Sequence, residues 1–475
     1  MSPPSRFIIA AIAIAIASTW ITPFQRDLFV GDETKYGQVV REMRATGAFF
    51  LPTLNGVPFT HKPPLHFWMI DLLTYPLGLY STWAFVLPSL LAFLFLLWLM
   101  WRMGGPLAAF ICGTSLMVWG SAQTARMDIS FTAFIVLGAW MLQKAFDADD
   151  SRALFGSAVA LGMATLIKGP MAPVIGIVLF LLEVWRRRRF PRVRYSGAIA
   201  ALIGIPMLWL VPAMLMGGST YTHEVIVKQT IGRAVSAWVH NAPPWFYVLH
   251  LPGILFPWFF LALAALRGAN RFYVNWILAV LVPYSLMSSK LDVYMMAMIP
   301  PVALMIADRA SLTASRLTLA MFMLPVAFIG RVPPQAKPLI IIFAVAAALA
   351  LITWRSPLWS TIAVGLVPLA PLMYVAFTLM PLVNDIGSTR RLIAAIQKQH
   401  VPPETVALYS CPYLWSRDFP RELERVRYVD ADNIDTPAVI ATSRVHASEI
   451  ASVWRSYRHV DQLQMIRKWF DVYRR

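Results

Sequence analysis

The run "FIIAAIAIAIASTWITPF" (Phe7–Phe24), followed after six residues by "GDETKYGQVVREM" (Gly31–Met43), sets the class of this protein. The first stretch is almost pure hydrocarbon and long enough to cross a bilayer as a helix. The second places an acidic pair, Asp32 and Glu33, shortly after it. Further apolar stretches of about 17 to 25 residues recur as far as Met380, separated by short polar breaks. Of the 475 residues 58% are hydrophobic and 14% charged, and the mean hydropathy is +0.61. A soluble domain carries about one quarter charged residues, so the composition reads as an α-helical polytopic membrane protein. The runs are too long and too uniform for β-barrel strands.

The formal net charge is +17, yet its distribution argues against nucleic acid as a partner. Much of it lies in short breaks, above all Arg186–Arg189 with Arg192 and Arg194, as cytoplasmic loops do under the positive-inside rule. The two cysteines, Cys112 in an apolar run and Cys411 in the polar tail, imply no disulfide framework. The first apolar run reads as an uncleaved span rather than a signal peptide, because it continues through Trp20 and Ile21.

Placing the arginine-rich breaks inside predicts about thirteen spans: 7–24, 83–101, 106–122, 128–146, 153–167, 170–185, 196–216, 245–266, 272–288, 292–308, 316–331, 338–354 and 358–380. Residues 1–383 then form a membrane domain and 384–475 an outer α/β domain. In the latter "STRRLIAAIQKQH" and "SEIASVWRSYRHV" read as helices, "TVALYS" and "PAVIATSRV" as strands. The loop 25–82 is too long for a connector. In it Tyr36, Val39, Val40 and Met43 recur at helical spacing, the pattern of an amphipathic helix lying on the membrane. Pro63-Pro64 opens a second interfacial segment from Leu65 to Tyr80, on which Asp71 reads as solvated.

With this topology Asp32, Glu33, Lys62, Arg126, Asp128, Lys168, Arg233, His240, Lys290 and Tyr294 all fall on outer loops or the adjoining span ends. A charge near the bilayer centre costs about 2.5–3.5 kcal/mol on insertion scales, so such residues line a cavity or pair with one another. One polar site on the outer face explains them together. Moving a group from a lipid phosphate needs a carboxylate to activate or orient the acceptor and cations to stabilise the departing phosphate. Asp32 suits the first role; Lys62, Arg233 and Lys290 suit the second. Asp32 suits a helix start equally well, since a carboxylate there meets free backbone amides. Asp128 beside Arg126 reads first as a structural ion pair, and Lys168 before Gly169-Pro170 as a turn or cavity residue.

The stretch "GDETKYGQVVREMRATGAFFLPTLNGVPFTHKPPLHFWM" resembles the first outer loop of the ArnT-like 4-amino-4-deoxy-L-arabinose transferases and related polyprenyl-phosphate-sugar transferases. "ARMDISFTAFI", "IKGPMAPVI", "IGRAV", "HNAPPWFYV", "LFPW" and "SSKLDVYMMAMIPPVALMIA" follow in the family's order. The resemblance implies a GT-C fold and an inverting glycosyltransferase of the inner membrane with its site facing the periplasm. Its donor would be a polyprenyl-phosphate sugar, its acceptor lipid A or another envelope glycolipid or glycan, and membrane lipids its surroundings. It also implies Asp32 as the catalytic carboxylate and Lys62 as the donor-phosphate residue. Arg233 and Tyr294 would line the same cavity, and Lys35 stands where the family has arginine. Glu33, Arg126, Asp128, Lys168 and Lys290 complete the expected substrate contacts.

Before the Lys-Pro motif the family often has a metal-binding glutamate; here it is His61, which with His240 would supply two imidazoles for a divalent metal such as zinc. Asp292 replaces a usual proline and Ala234 a common aromatic, changes that bear on sugar and acceptor. Two other readings stand beside this one. A protein O-mannosyltransferase also begins its first outer loop with an acidic pair. A transporter or flippase of polyprenyl-linked substrates would place its site near the midplane.

Overall fold

The computed structural model describes residues 3–79, 81–232, 241–332, 334, 337–353, 355–411, 413–414, 426–429, 437–446, 457–465 and 468–475. In chain order the first elements are α1 (Pro3–Ile21), α2 (Asp32–Thr46), β1 (Thr53–Leu54), β2 (Val57–Pro58), α3 (Leu65–Leu77), α4 (Thr82–Thr114), α5 (Leu116–Ala122), α6 (Asp128–Ala148), α7 (Ser151–Lys168), α8 (Met171–Arg187) and α9 (Ser196–His223). Shorter helices follow, and the chain closes with strands β3 (Val406–Tyr409), β4 (Arg427–Val429), β5 (Val439–Ser443), β6 (Arg458–Met465) and β7 (Lys468–Arg474).

The protein is a multi-pass membrane protein. Among the described residues six helices are long and apolar enough to cross a bilayer: Arg6–Phe24, Thr82–Thr114, Asp128–Ala148, Ser196–Gln229, Leu312–Arg331 and Pro357–Gly387. The number is seven if Phe246–Ile254 and Phe259–Ala265, bent by 109°, are counted as one span. The expected thirteen therefore do not all appear as full-length helices. The run 292–308, for example, opens as a 3-10 turn, Asp292–Met298, before its helix Ile299–Asp308. Hydropathy registers apolar length, whereas the number of turns depends on where glycine and proline break the backbone. Within α4 the break falls at Gly105, whose φ of 76° lies in the region L side chains avoid, three residues after the expected break at Arg102.

The chain packs as two units. One comprises Met1–Ile21, Thr60–His66 and Pro88–Val375; the other comprises Thr22–Phe59, Phe67–Leu87 and Ala376–Arg475. In the first unit helices approach through small residues. A methyl group on Gly176 would lie 2.3 Å from Leu161 Cδ1, and one on Gly138 3.1 Å from Leu161 Cγ, so α8 and α6 close tightly on α7. Ser157 Oγ donates to the Gly138 carbonyl at 2.8 Å, and Trp119 Nε1 donates to Ser18 Oγ at 2.9 Å, tying α7 to α6 and α5 to α1. Three arginines of the basic run at the end of α8 are ion-paired. Arg186 and Arg187 hold the buried Glu183 at 2.5 and 3.0 Å, Arg187 also reaches Asp147 at 2.6 Å, and Arg189 reaches Asp149 at 2.7 Å.

In the second unit α2 forms as its pattern demands, but its apolar stripe faces protein. Tyr36, Val39, Val40 and Met43 are all buried, with Tyr36 edge-on to Phe67 at 5.4 Å. The apolar face expected to rest on the membrane packs on protein instead; the same stripe serves either partner, and tertiary packing takes it. Glu42 holds the β1–β2 hairpin, accepting from Thr53 Oγ1 at 2.8 Å and from the amides of Asn55 (2.8 Å) and Gly56 (3.1 Å). Asp71 is not solvated as expected: Arg44 Nε donates to it at 2.7 Å. The remainder is a mixed five-stranded sheet of order β4-β3-β5-β7-β6, parallel at β4-β3-β5 and antiparallel at β5-β7-β6. Leu392 and Ile396 of the helix Arg390–Gln397 pack on Val406, Leu408, Val439 and Val472. The expected helix "SEIASVWRSYRHV" lies largely outside the described residues, and its last three, Arg458–Val460, open β6.

Candidate active site

Asp32 is the first residue of α2. It follows Gly31, whose φ of 123° only glycine adopts readily. The neighbouring Glu33 faces the protein: Arg26 donates to it through both Nη atoms, one at 2.8 Å, and the Phe29 amide donates at 2.9 Å. Both side chains are buried, so Glu33 is committed to shaping the loop. Lys35 is half-buried.

A cavity of about 640 Å³ opens within the first unit. Much of its wall is apolar, with Val174, Met207, Trp209, Leu210 and Ile226 among its residues. His61, Lys62, Lys168 and Tyr294 also line it. Lys168 ends α7 and Asp128 begins α6, and the two meet with Nζ 2.5 Å from Oδ1. Arg126 Nε lies 3.2 Å from the other oxygen of Asp128, and Lys62 is near enough to act on its charge. The expected pair is thus a cluster of one carboxylate and three cations. Lys168 Nζ also sits 4.7 Å from the centre of the Tyr294 ring, which stacks on Tyr284 at 5.2 Å.

Lys290 lines a separate cavity of about 450 Å³ with Asn241–Pro244, where its buried ammonium donates to the Met287 carbonyl. Arg233 and His240 lie outside the described residues. No group of three or more His, Cys, Asp or Glu side chains able to hold a metal occurs among the described residues. Two imidazoles alone are an incomplete zinc set.

Three further lining residues carried no motif. Tyr284 and Trp209 read as membrane aromatics. Gln229 sits in the π-helical segment Glu224–Gly232, its amide oxygen buried with no hydrogen-bond partner among the described residues. His66, at the start of α3, is fully buried, with Nε2 3.4 Å from the Ala125 carbonyl. Burial pushes its pKa down to about 4, against smaller upward effects of Ala125 and Asp128. The folded protein therefore holds a neutral imidazole while the unfolded chain takes up a proton below pH 6.5. Stability from His66 is complete above pH 6.5 and is lost progressively as pH falls towards 4, by about 3 kcal/mol in all. Unfolding of the purified protein between pH 7.5 and 4 should steepen accordingly, and His66→Gln should flatten that slope; identical slopes would exclude the effect.

Residues 61–210 match the family model described as dolichyl-phosphate-mannose-protein mannosyltransferase. The undecaprenyl phosphate-alpha-4-amino-4-deoxy-L-arabinose arabinosyl transferase of Edwardsiella ictaluri is 26% identical over 320 residues, which cover 62% of this chain and 58% of that protein. Transferase 1 of the same description from Pseudomonas fluorescens is 27% identical over 333 residues, 64% of this chain and 58% of the relative. The chain thus spans 58% of the length of these curated relatives. The crystal structure of ArnT from Cupriavidus metallidurans bound to undecaprenyl phosphate superposes with a TM-score of 0.77 at 17% identity, covering 98% of both chains. The apo structure gives 0.77 at 18%, covering 99% of this chain and 98% of the other. In fold this chain is similar to these ArnT structures, and over about three fifths of its length its sequence is similar to the transferases named above.

Proposed function

We propose that this protein is an inverting glycosyltransferase that moves a sugar from a polyprenyl-phosphate donor to an envelope acceptor, lipid A or another glycolipid or glycan. It would work in the inner membrane with its site on the periplasmic side. The observation that carries this reading is the cavity in the first unit, an apolar wall ending in ammonium groups. A prenyl chain suits the wall, and a phosphate suits Lys62 and Lys168. The anomeric carbon is attacked from the face opposite the phosphate, the C–O bond to phosphate breaks, and the charge gathering on the departing phosphate is stabilised by these cations. Lys168 is held by Asp128 and needs no reorganisation during the step. Asp32 has the role of acceptor carboxylate. For a hydroxyl acceptor it takes the proton; for a phosphate acceptor, already ionised, it orients.

Lys62→Ala is expected to lower transfer about 100- to 1000-fold, as does loss of one preorganised donor to a developing oxyanion. The measurement is mass spectrometry of envelope glycolipids and glycans from a deletion strain complemented with native or variant protein at matched abundance. A mass increment that Lys62→Ala restores as well as the native protein would sink the phosphate assignment. No increment with either protein would sink transfer.

A further inference from the structure

Asp32 has no rigid element before it, since Gly31 at φ 123° lets the chain turn freely. The segments on either side of it are tied down by their own contacts. Two residues earlier, the Val30 amide donates to the Gly387 carbonyl at 2.8 Å. The Asp27 amide donates to Asn384 Oδ1 at 3.0 Å, and Asn384 Nδ2 donates to the Gln25 carbonyl at 2.7 Å. The carboxylate of Asp27, fully buried, receives Nε and Nη2 of Arg390, the latter at 3.1 Å. A methyl group on Gly387 would lie 3.0 Å from the Phe29 ring, so the two segments touch. One residue after Asp32, Glu33 is held by Arg26 and the Phe29 amide.

Asp32 therefore stands between two fixed points, and the earlier one is anchored some 350 residues away in sequence. We propose that the segment Asn384–Arg390 positions Asp32, with Arg390 and Asn384 as positioning residues for the reaction proposed above, on which this inference rests. Asn384 has both side-chain ends occupied by backbone of the loop, and Arg390 neutralises the buried Asp27, so each would act through the loop. A buried carboxylate whose guanidinium is removed is strongly disfavoured, and a displacement of about 1 Å at a reacting group costs roughly 100-fold in rate.

The test uses full-length protein in lipid nanodiscs with Arg390→Gln, Arg390→Lys and Asn384→Ala, so that one variant failing to fold leaves the others. Four quantities are read: hydrogen exchange of the peptide 28–38, thermal midpoint, affinity for undecaprenyl phosphate, and transfer in the complemented strain. Arg390→Gln and Asn384→Ala should raise exchange at 30–36 several-fold and lower transfer per folded molecule about 10- to 100-fold. Undecaprenyl phosphate affinity should be unchanged, and Arg390→Lys should recover part of both effects. Unchanged exchange, or transfer that falls only with the amount of folded protein, overturns the inference. If exchange rises but neither these variants nor Asp32→Asn affects transfer, the functional reading fails and the tether to the loop stands. If Asp32→Asn abolishes transfer while the loosened variants keep full rate, positioning is overturned and the functional reading survives.

Discussion

Asp32→Asn should lower the envelope mass increment about 100- to 10,000-fold at matched membrane abundance, the range for losing a positioned acid–base group. Asparagine keeps the shape and the polar start of α2, so the variant should fold. Magnitude separates the two roles this residue can have. A carboxylate that only complements the N-terminus of a helix contributes about 0.3–1 kcal/mol, to stability rather than rate. Equal transfer by native and variant protein would make Asp32 a helix-start residue and return transport as the leading reading.

Asp128→Ala should destabilise the protein by about 3–5 kcal/mol, because it leaves the Lys168 ammonium uncompensated in a nearly closed setting, with Arg126 beside it. Lys168→Met introduced with Asp128→Ala should return much of that loss, since the charge and its partner leave together. The check is unfolding by denaturant in detergent for native, single and double variants. A single variant within 1 kcal/mol of native would show that the pair is screened by water and does not organise this end of the cavity. The double variant should lack transfer even where its stability returns, as the Lys168 charge on the cavity wall is gone.

Much of this protein is legible along the chain because its solvent is hydrocarbon: apolar length reports spans, and a carboxylate after a span stands out. The helix of α2 follows from the spacing of Tyr36, Val39, Val40 and Met43, and β3 and β5 from their short, mostly apolar runs between polar breaks. Less local features are not legible. The Asp128–Lys168 contact joins residues forty positions apart, and only the packing of α6 and α7 brings their ends together. Strand β6 carries no strong local strand pattern, and its pairing with β7 decides it, as context decides most strands. Glu42 looks like a surface charge until the hairpin it holds is seen.

By itself, then, the sequence determined the membrane class, the helical character and which residues are too polar for lipid to be accidental, because transfer free energy is a property of each residue and its near neighbours. Tertiary structure alone decided which of those charges meet: Glu33 with Arg26, Asp128 with Lys168, Asp27 with Arg390. Ion pairs and hydrogen bonds act over a few ångströms in space, and no pattern along the chain encodes a distance across it.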